Sequence, residues 1–133
     1  LEKNWGAWGL DFRPDFTAKE SGLNNFIDWN KDFIGKKIAL EDNSSLRLTY
    51  LDVDTKDIDV TNNEAVIFNN KCVGYVTSGG YAHYSNKSIA YTYLDKKITS
   101  DEKNLQIEIN GNFYNCKILK EPLYDPKGLK MKS

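Results

Sequence analysis

The sequence predicts a mainly β chain: a small antiparallel β-barrel or sandwich preceded by a short α-helical segment. Three observations carry that prediction. From Ser45 onward, apolar residues recur with a period of two, as in strands with one buried face. Turn-forming pairs, Asn69-Asn70 and Asn110-Gly111, separate these runs. Up to about residue 40 the apolar spacing is helical instead, and the two parts meet near residues 40–45.

The helical segment comes first. Thr17-Ala18-Lys19-Glu20 is a capping box, in which a hydroxyl and a carboxylate each take an amide of the first turn. Leu23, Phe26 and Ile27 follow at helical spacing, weakened by Gly22. Asp32 is a second N-cap candidate, ahead of the apolar face Phe33, Ile34, Ile38 and Leu40. Two short helices with irregular connections are expected. The strands come next. Leu46, Leu48 and Tyr50 alternate with Arg47 and Thr49. Residues 66–68 and 72–77 flank Asn69-Asn70-Lys71 as a hairpin. Thr77-Ser78-Gly79-Gly80 reads as a polar turn leading to a strand over 88–94, with Ile89, Tyr91 and Tyr93 on one face. Leu105, Ile107 and Ile109 alternate with polar residues, and Asn110-Gly111 turns the chain back into 113–120. Pro122 ends the pairing, and the basic tail 127–133 is expected to fray.

Composition narrows the function. The 133 residues are 40% hydrophobic and 13% aromatic, enough for one packed domain or one domain plus a piece of another. Net charge is −1 from 18 basic and 19 acidic residues, without the basic footprint of a nucleic-acid binder. There is no apolar run long enough to cross a bilayer, and no signal peptide is expected. The chain opens Leu1-Glu2-Lys3 and reads as a piece of a longer protein. Cys72 and Cys116 both sit in strand-like runs and read as buried free thiols. With His83 as the one histidine, Cys and His cannot assemble a zinc site.

The motif richest in possible chemistry is Glu2 to Phe12, with Trp5 and Trp8 among glycines. Two readings stand side by side. The indoles could stack on a planar ligand whose ring nitrogens Glu2 or Asp11 would meet, or both could pack on the β domain. The stretch Thr77 to Tyr84 offers backbone amides, but no helix follows, so it reads as a connector, with His83 a satisfied surface histidine. Asp52, Asp54, Asp57 and Asp59 lack the glycine and terminal Glu of a calcium loop and read as a solvated edge. No Ser-His-Asp or Cys-His set is visible, and no catalytic residue or metal ligand is assigned.

Five stretches in order resemble the C-terminal part of the glycine cleavage T-protein, the aminomethyltransferase family. They are Leu1-Glu2 with Trp8-Gly9-Leu10-Asp11; Thr17-Ala18-Lys19-Glu20-Ser21-Gly22-Leu23; Asp32-Phe33-Ile34-Gly35-Lys36; residues 73–81 with Ser88-Ile89-Ala90; and Pro122-Leu123-Tyr124-Asp125-Pro126. Leu1-Glu2-Lys3 with Trp8-Gly9 looks closer to the folate domain of sarcosine and dimethylglycine dehydrogenases. The resemblance implies that residues 1–40 are the tail of the folate-binding domain and 41–133 the C-terminal β-barrel domain.

It also implies a fragment of a tetrahydrofolate-dependent protein that passes one-carbon units from N-methyl amines to the folate. Stand-alone T-protein, a folate-dependent demethylase and a non-catalytic interaction barrel are the alternatives. Trp8 stands where the family has a ring-binding tyrosine and is the candidate for stacking on the pterin. Glu2 is the second cofactor-binding candidate, as an acceptor or as support for the pocket wall. The carboxylate serving the folate reaction lies in the family's N-terminal part, so the fragment alone is not expected to be active. FAD, if the parent carries it, would bind upstream. The implied partners are that N-terminal part and a small-molecule methyl donor, with no nucleic acid or membrane. The implied location is the cytoplasm or, in a eukaryote, the mitochondrial matrix.

Overall fold

The computed structural model describes residues 1–100 and 103–132, without the side chain of Met131. Six antiparallel strands form a closed barrel: β1 (Leu46–Val53), β2 (Ala65–Phe68), β3 (Lys71–Ala82), β4 (Lys87–Asp95), β5 (Leu105–Ile109) and β6 (Asn112–Ile118). Around the barrel the order is β1-β4-β3-β2-β5-β6, and β6 returns to β1 by pairing Leu51 with Ile118. The predicted fold class is the one observed.

The alternation in sequence explains the strands. Leu105, Ile107 and Ile109 are buried and turn inward, while Gln106 and Glu108 between them do not. The hairpin turns carry the left-handed backbone that their residues favour, with φ of 49° and 61° at Asn69 and Asn70, and 50° and 79° at Asn110 and Gly111. Leu51, Val53, Val66, Val76, Ala90, Leu94, Ile107 and Cys116 belong to the barrel core. The β1–β2 connection is drawn into it as well, since Val60 is fully buried and Ile58 packs against the same cluster. Cys116 is therefore a core residue. Cys72 is exposed on β3 rather than buried as expected, and both thiols are free.

β3 corrects the reading of Thr77-Ser78-Gly79-Gly80. The tetrapeptide is not a turn, because the strand runs through it to Ala82 and the chain reverses at residues 83–86. Non-local contacts explain why these small residues extend. A Cβ on Gly79 would lie 2.8 Å from the Val60 carbonyl oxygen, so glycine is there to admit the buried β1–β2 connection. At Thr77 the register slips, with Val76 facing Thr92 and Ser78 facing Tyr91, which makes Thr77 a β-bulge.

β4 is buried along both faces. Ala90 and Leu94 point into the barrel, whereas Ile89 and Tyr91 lie in a second cluster with Tyr50 and Ala82. The N-terminal segment lies over this outer face. Tyr91 donates from its hydroxyl to Asn4 Oδ1 (2.7 Å) and Tyr93 donates to the Asp11 carbonyl (2.8 Å). Phe16 stacks on Tyr93, and Leu48 N–H donates to the Glu20 carbonyl at 2.7 Å.

Helix content in this segment is smaller than predicted. The capping-box bonds form, Glu20 N–H to Thr17 Oγ1 (3.1 Å) and Thr17 N–H to Glu20 Oε2 (2.8 Å). One turn later Leu23 N–H reaches back to the Ala18 carbonyl, and Gly22 is left-handed at φ 72°. That closing motif stops the helix before Phe26 and Ile27 can join it. What remains is a 3-10 turn, Asn24–Phe26. The second helix is only α1 (Lys36–Leu40), and its N-cap is Gly35, without a side-chain bond from Asp32. In the tail, Leu129–Met131 forms another 3-10 turn, and Lys130 lies over the rings of Tyr84 and Tyr124. Ser133 lies outside the described residues.

Candidate functional site

Trp8 stands at the crest of a tight loop. The amides of Leu10, Asp11 and Phe12 all point at the Ala7 carbonyl, and Gly9 N–H donates to the Phe12 carbonyl at 3.2 Å. The expected close approach of a glycine backbone is internal to this loop, since a Cβ on Gly6 would lie 2.9 Å from both Asp11 Cβ and the Phe12 ring. Trp8 is 76% exposed and touches Phe12 edge-on. Trp5 is 50% exposed and meets Phe12 and Phe26 by their edges. Packing on the barrel therefore does not bury either indole. Phe26, in contact with Trp5, is exposed as well, so the two form an exposed apolar pair beside the Trp8 loop.

Asp11 lies at the foot of the loop and is fully buried. Its carboxylate accepts from Ala7 N–H (2.7 Å), from Ser78 Oγ (2.8 and 2.7 Å) and from Thr77 Oγ1. Consecutive strand residues normally point to opposite faces. The bulge at Thr77 lets both hydroxyls reach the same carboxylate. With its oxygens so occupied, Asp11 is no acceptor for a ligand, and its role is to hold the loop.

Glu2 is half-buried. Its Oε1 accepts from Tyr84 N–H (2.8 Å) and Ser85 N–H (3.3 Å), which secures the β3–β4 turn. It lines an open cleft of about 550 Å³ with Lys3, Tyr81 and Tyr124. Trp8 is not among the walls of that cleft. His83 is exposed and meets the Tyr81 ring by its edge. A larger cavity, about 690 Å³, lies at the barrel end beside Asp52, Lys87 and Cys116 and includes neither Trp8 nor Glu2. Asp54, Asp57 and Asp59 are exposed, while Asp52 pairs with Lys87. Among the described residues, no three His, Cys, Asp or Glu side chains are grouped to hold a metal.

Burial sets the electrostatics beneath the loop. It pushes the Tyr91 hydroxyl well above the usual tyrosine range, helped by the charges of Tyr50 and Asp11. Tyr93 is raised for the same first reason. Tyr50, buried and near Glu2 and Asp52, is pushed up to about 12. Tyr91 and Tyr93 serve as neutral donors, and Tyr50 as a neutral packing group.

The comparisons with known proteins agree with this architecture. The family described as glycine cleavage T-protein C-terminal barrel domain matches residues 47–125. The chain belongs to the glycine cleavage T-protein family. It is 36% identical over 128 residues to human mitochondrial dimethylglycine dehydrogenase, covering 92% of this chain and 15% of that protein. It is 29% identical to the aminomethyltransferase of Synechocystis, over 93% of this chain and 34% of the other. The fold is shared with the aminomethyltransferase T of the Bartonella henselae glycine cleavage system, at a TM-score of 0.84 and 21% identity, over 94% of this chain and 37% of that one. The family members it matches are thus much longer than the chain, which spans about a third of the aminomethyltransferases and less of the dehydrogenase. No helix among the described residues is long and apolar enough to cross a membrane.

Proposed function

We propose that the chain is the C-terminal part of a tetrahydrofolate-dependent protein of the sarcosine and dimethylglycine dehydrogenase type. Such a protein passes a one-carbon unit from an N-methyl amine to the folate. Residues 1–40 would form the tail of the folate-binding domain and 41–133 the barrel that covers it. The observation that carries this reading is Trp8, a large indole held out of the core on a tightly bonded loop. An exposed aromatic face on a fixed backbone suits a flat pterin.

Tetrahydrofolate, when bound, accepts the one-carbon unit. The residues of this chain bind and orient it. Trp8 offers its indole face, and Trp5 and Phe26 extend the apolar wall. Glu2 fits the supporting role better than that of a direct acceptor, because its Oε1 already receives two turn amides. The catalytic carboxylate, any flavin and the methyl-amine site would belong to the preceding part of the protein, in the cytoplasm or mitochondrial matrix.

A second reading follows from α1 and its approach. Ile34 and Ile38 are exposed and lie away from the Trp8 loop in sequence. They favour a surface that receives another polypeptide, as in an interaction module without folate. Titration of the intact protein with tetrahydrofolate separates the two. The folate reading expects saturable binding that weakens at least about tenfold in Trp8→Ala. Absence of binding, or equal affinity in the variant, overturns it and leaves the interaction module.

A further inference from the structure

We propose that Asp11 and the bulged pair Thr77-Ser78 form a positioning device that fixes Trp8 in its outward pose. The inference rests on the reading of Trp8 as the pterin-stacking residue. Trp8 has little of its own to hold it, since most of its surface is exposed and its ring meets Phe12 only by an edge. Its pose therefore depends on the backbone of residues 7–12. That backbone is tied down at one buried point, Asp11. One carboxylate oxygen takes Ala7 N–H and so closes the loop, while the hydroxyls of Thr77 and Ser78 anchor the same group to β3. The main chain of Asp11 is anchored separately to β4 by Tyr93.

A fully buried carboxylate is costly unless its lone pairs are used, and three donors, the Ala7 amide and the Thr77 and Ser78 hydroxyls, use them here. An asparagine has the same shape but one acceptor oxygen in place of two, so it cannot serve the Ala7 amide and both hydroxyls as the carboxylate does. The bulge at Thr77 is needed for the same purpose, because a regular strand would aim only one of the two hydroxyls outward. Fixing the loop before the ligand arrives spares its ordering cost at binding. Asp11 thus acts on the ligand through Trp8, without touching it.

The test uses the intact protein and four variants: Asp11→Asn, Ser78→Ala, Trp8→Ala and the double variant Asp11→Asn/Trp8→Ala. Amide exchange is read at residues 6–13 and, as a control on folding, at residues 89–94 of β4, alongside tetrahydrofolate affinity. Asp11→Asn and Ser78→Ala are expected to speed exchange at 6–13 by about tenfold or more while β4 keeps its protection. Asp11→Asn is expected to weaken folate about tenfold, yet by less than about twofold when Trp8 is already alanine. Unchanged exchange at 6–13 in both folded variants overturns the device. So does an equal loss of affinity with and without Trp8. If Trp8→Ala leaves affinity unchanged, the pterin reading fails, and the exchange result alone decides whether Asp11 anchors the loop. Should Asp11→Asn not fold, Ser78→Ala carries both measurements.

Discussion

Phe16 lies flat on Tyr93, with ring centroids 3.5 Å apart and planes 8° from parallel. A residue from the N-terminal segment thus covers the outer face of the most enclosed strand. Arg13, beside it, lies over the Phe16 and Tyr75 rings and donates to the Tyr75 hydroxyl, which carries the contact across to β3. Phe16→Ala removes a half-buried ring and one stacked pair, an expected loss of about 1–2 kcal/mol. Urea titration checks the magnitude. Exchange should rise at residues 12–21 far more than inside the barrel.

Gly79 and Gly80 are neighbours with opposite tolerances. A Cβ at Gly79 meets backbone at 2.8 Å, whereas at Gly80 its nearest neighbour is the Leu1 side chain at 3.8 Å. Gly79→Ala should cost about 2 kcal/mol or more, because the Val60 backbone must move. Gly80→Ala should stay within about 0.5 kcal/mol of the parent. Denaturant midpoints of the two variants, side by side, make the comparison.

The two cysteines should differ sharply in reactivity. Burial pushes the Cys116 thiol up to about 12, while Cys72 is exposed. The thiolate is the reactive form, so a disulfide reagent at pH 8 should label one thiol fast in the native protein and two after denaturation. Cys72→Ser should abolish the fast phase. A fast phase that survives in that variant would contradict the burial of Cys116.

Alkaline pH should loosen the tyrosine face before it affects the rest. Tyr50, Tyr91 and Tyr93 all have folded-state values raised above the usual 10. Above pH 10 the unfolded chain gives up these protons while the folded one keeps them, so stability is whole below 10 and falls as pH rises toward 12. Urea midpoints from pH 8 to 11 should show that decline, with a smaller slope in Tyr50→Phe. At pH 7 the same variant should be neutral or more stable, because the buried Tyr50 hydroxyl has no hydrogen-bond partner among the described residues.

The strands were legible where local pattern and tertiary demand agree. β5 and β6 follow from alternation and Asn110-Gly111, and β1 from Leu46, Leu48 and Tyr50. The composition of Thr77-Ser78-Gly79-Gly80 suits a turn, while Val60 and Asp11, both distant in sequence, decide its extended conformation. The helices failed at their ends. The capping box was present as read, but Gly22 in the left-handed region closes the turn at once. Residue type and glycine neighbours point to Trp5 and Trp8 alike, and only the family resemblance makes Trp8 the candidate. The anchoring role of Asp11 was hidden, because its hydroxyl partners lie 66 and 67 residues away and reach it only through a bulge.

The covering of β4 by the N-terminal segment has a consequence for how the chain is made. The cover leaves the ribosome before the sheet it covers. Asp11 and Tyr93 are 82 residues apart, which at about 5–20 residues per second is roughly 4–16 s of synthesis. For that interval Phe12 and Phe16 lack the β4 face that covers them, and until Thr77 and Ser78 emerge Asp11 has neither of its hydroxyl partners. Nascent chains halted before Tyr91 should therefore recruit holdase chaperones to residues 5–16, and chains released after β4 should not.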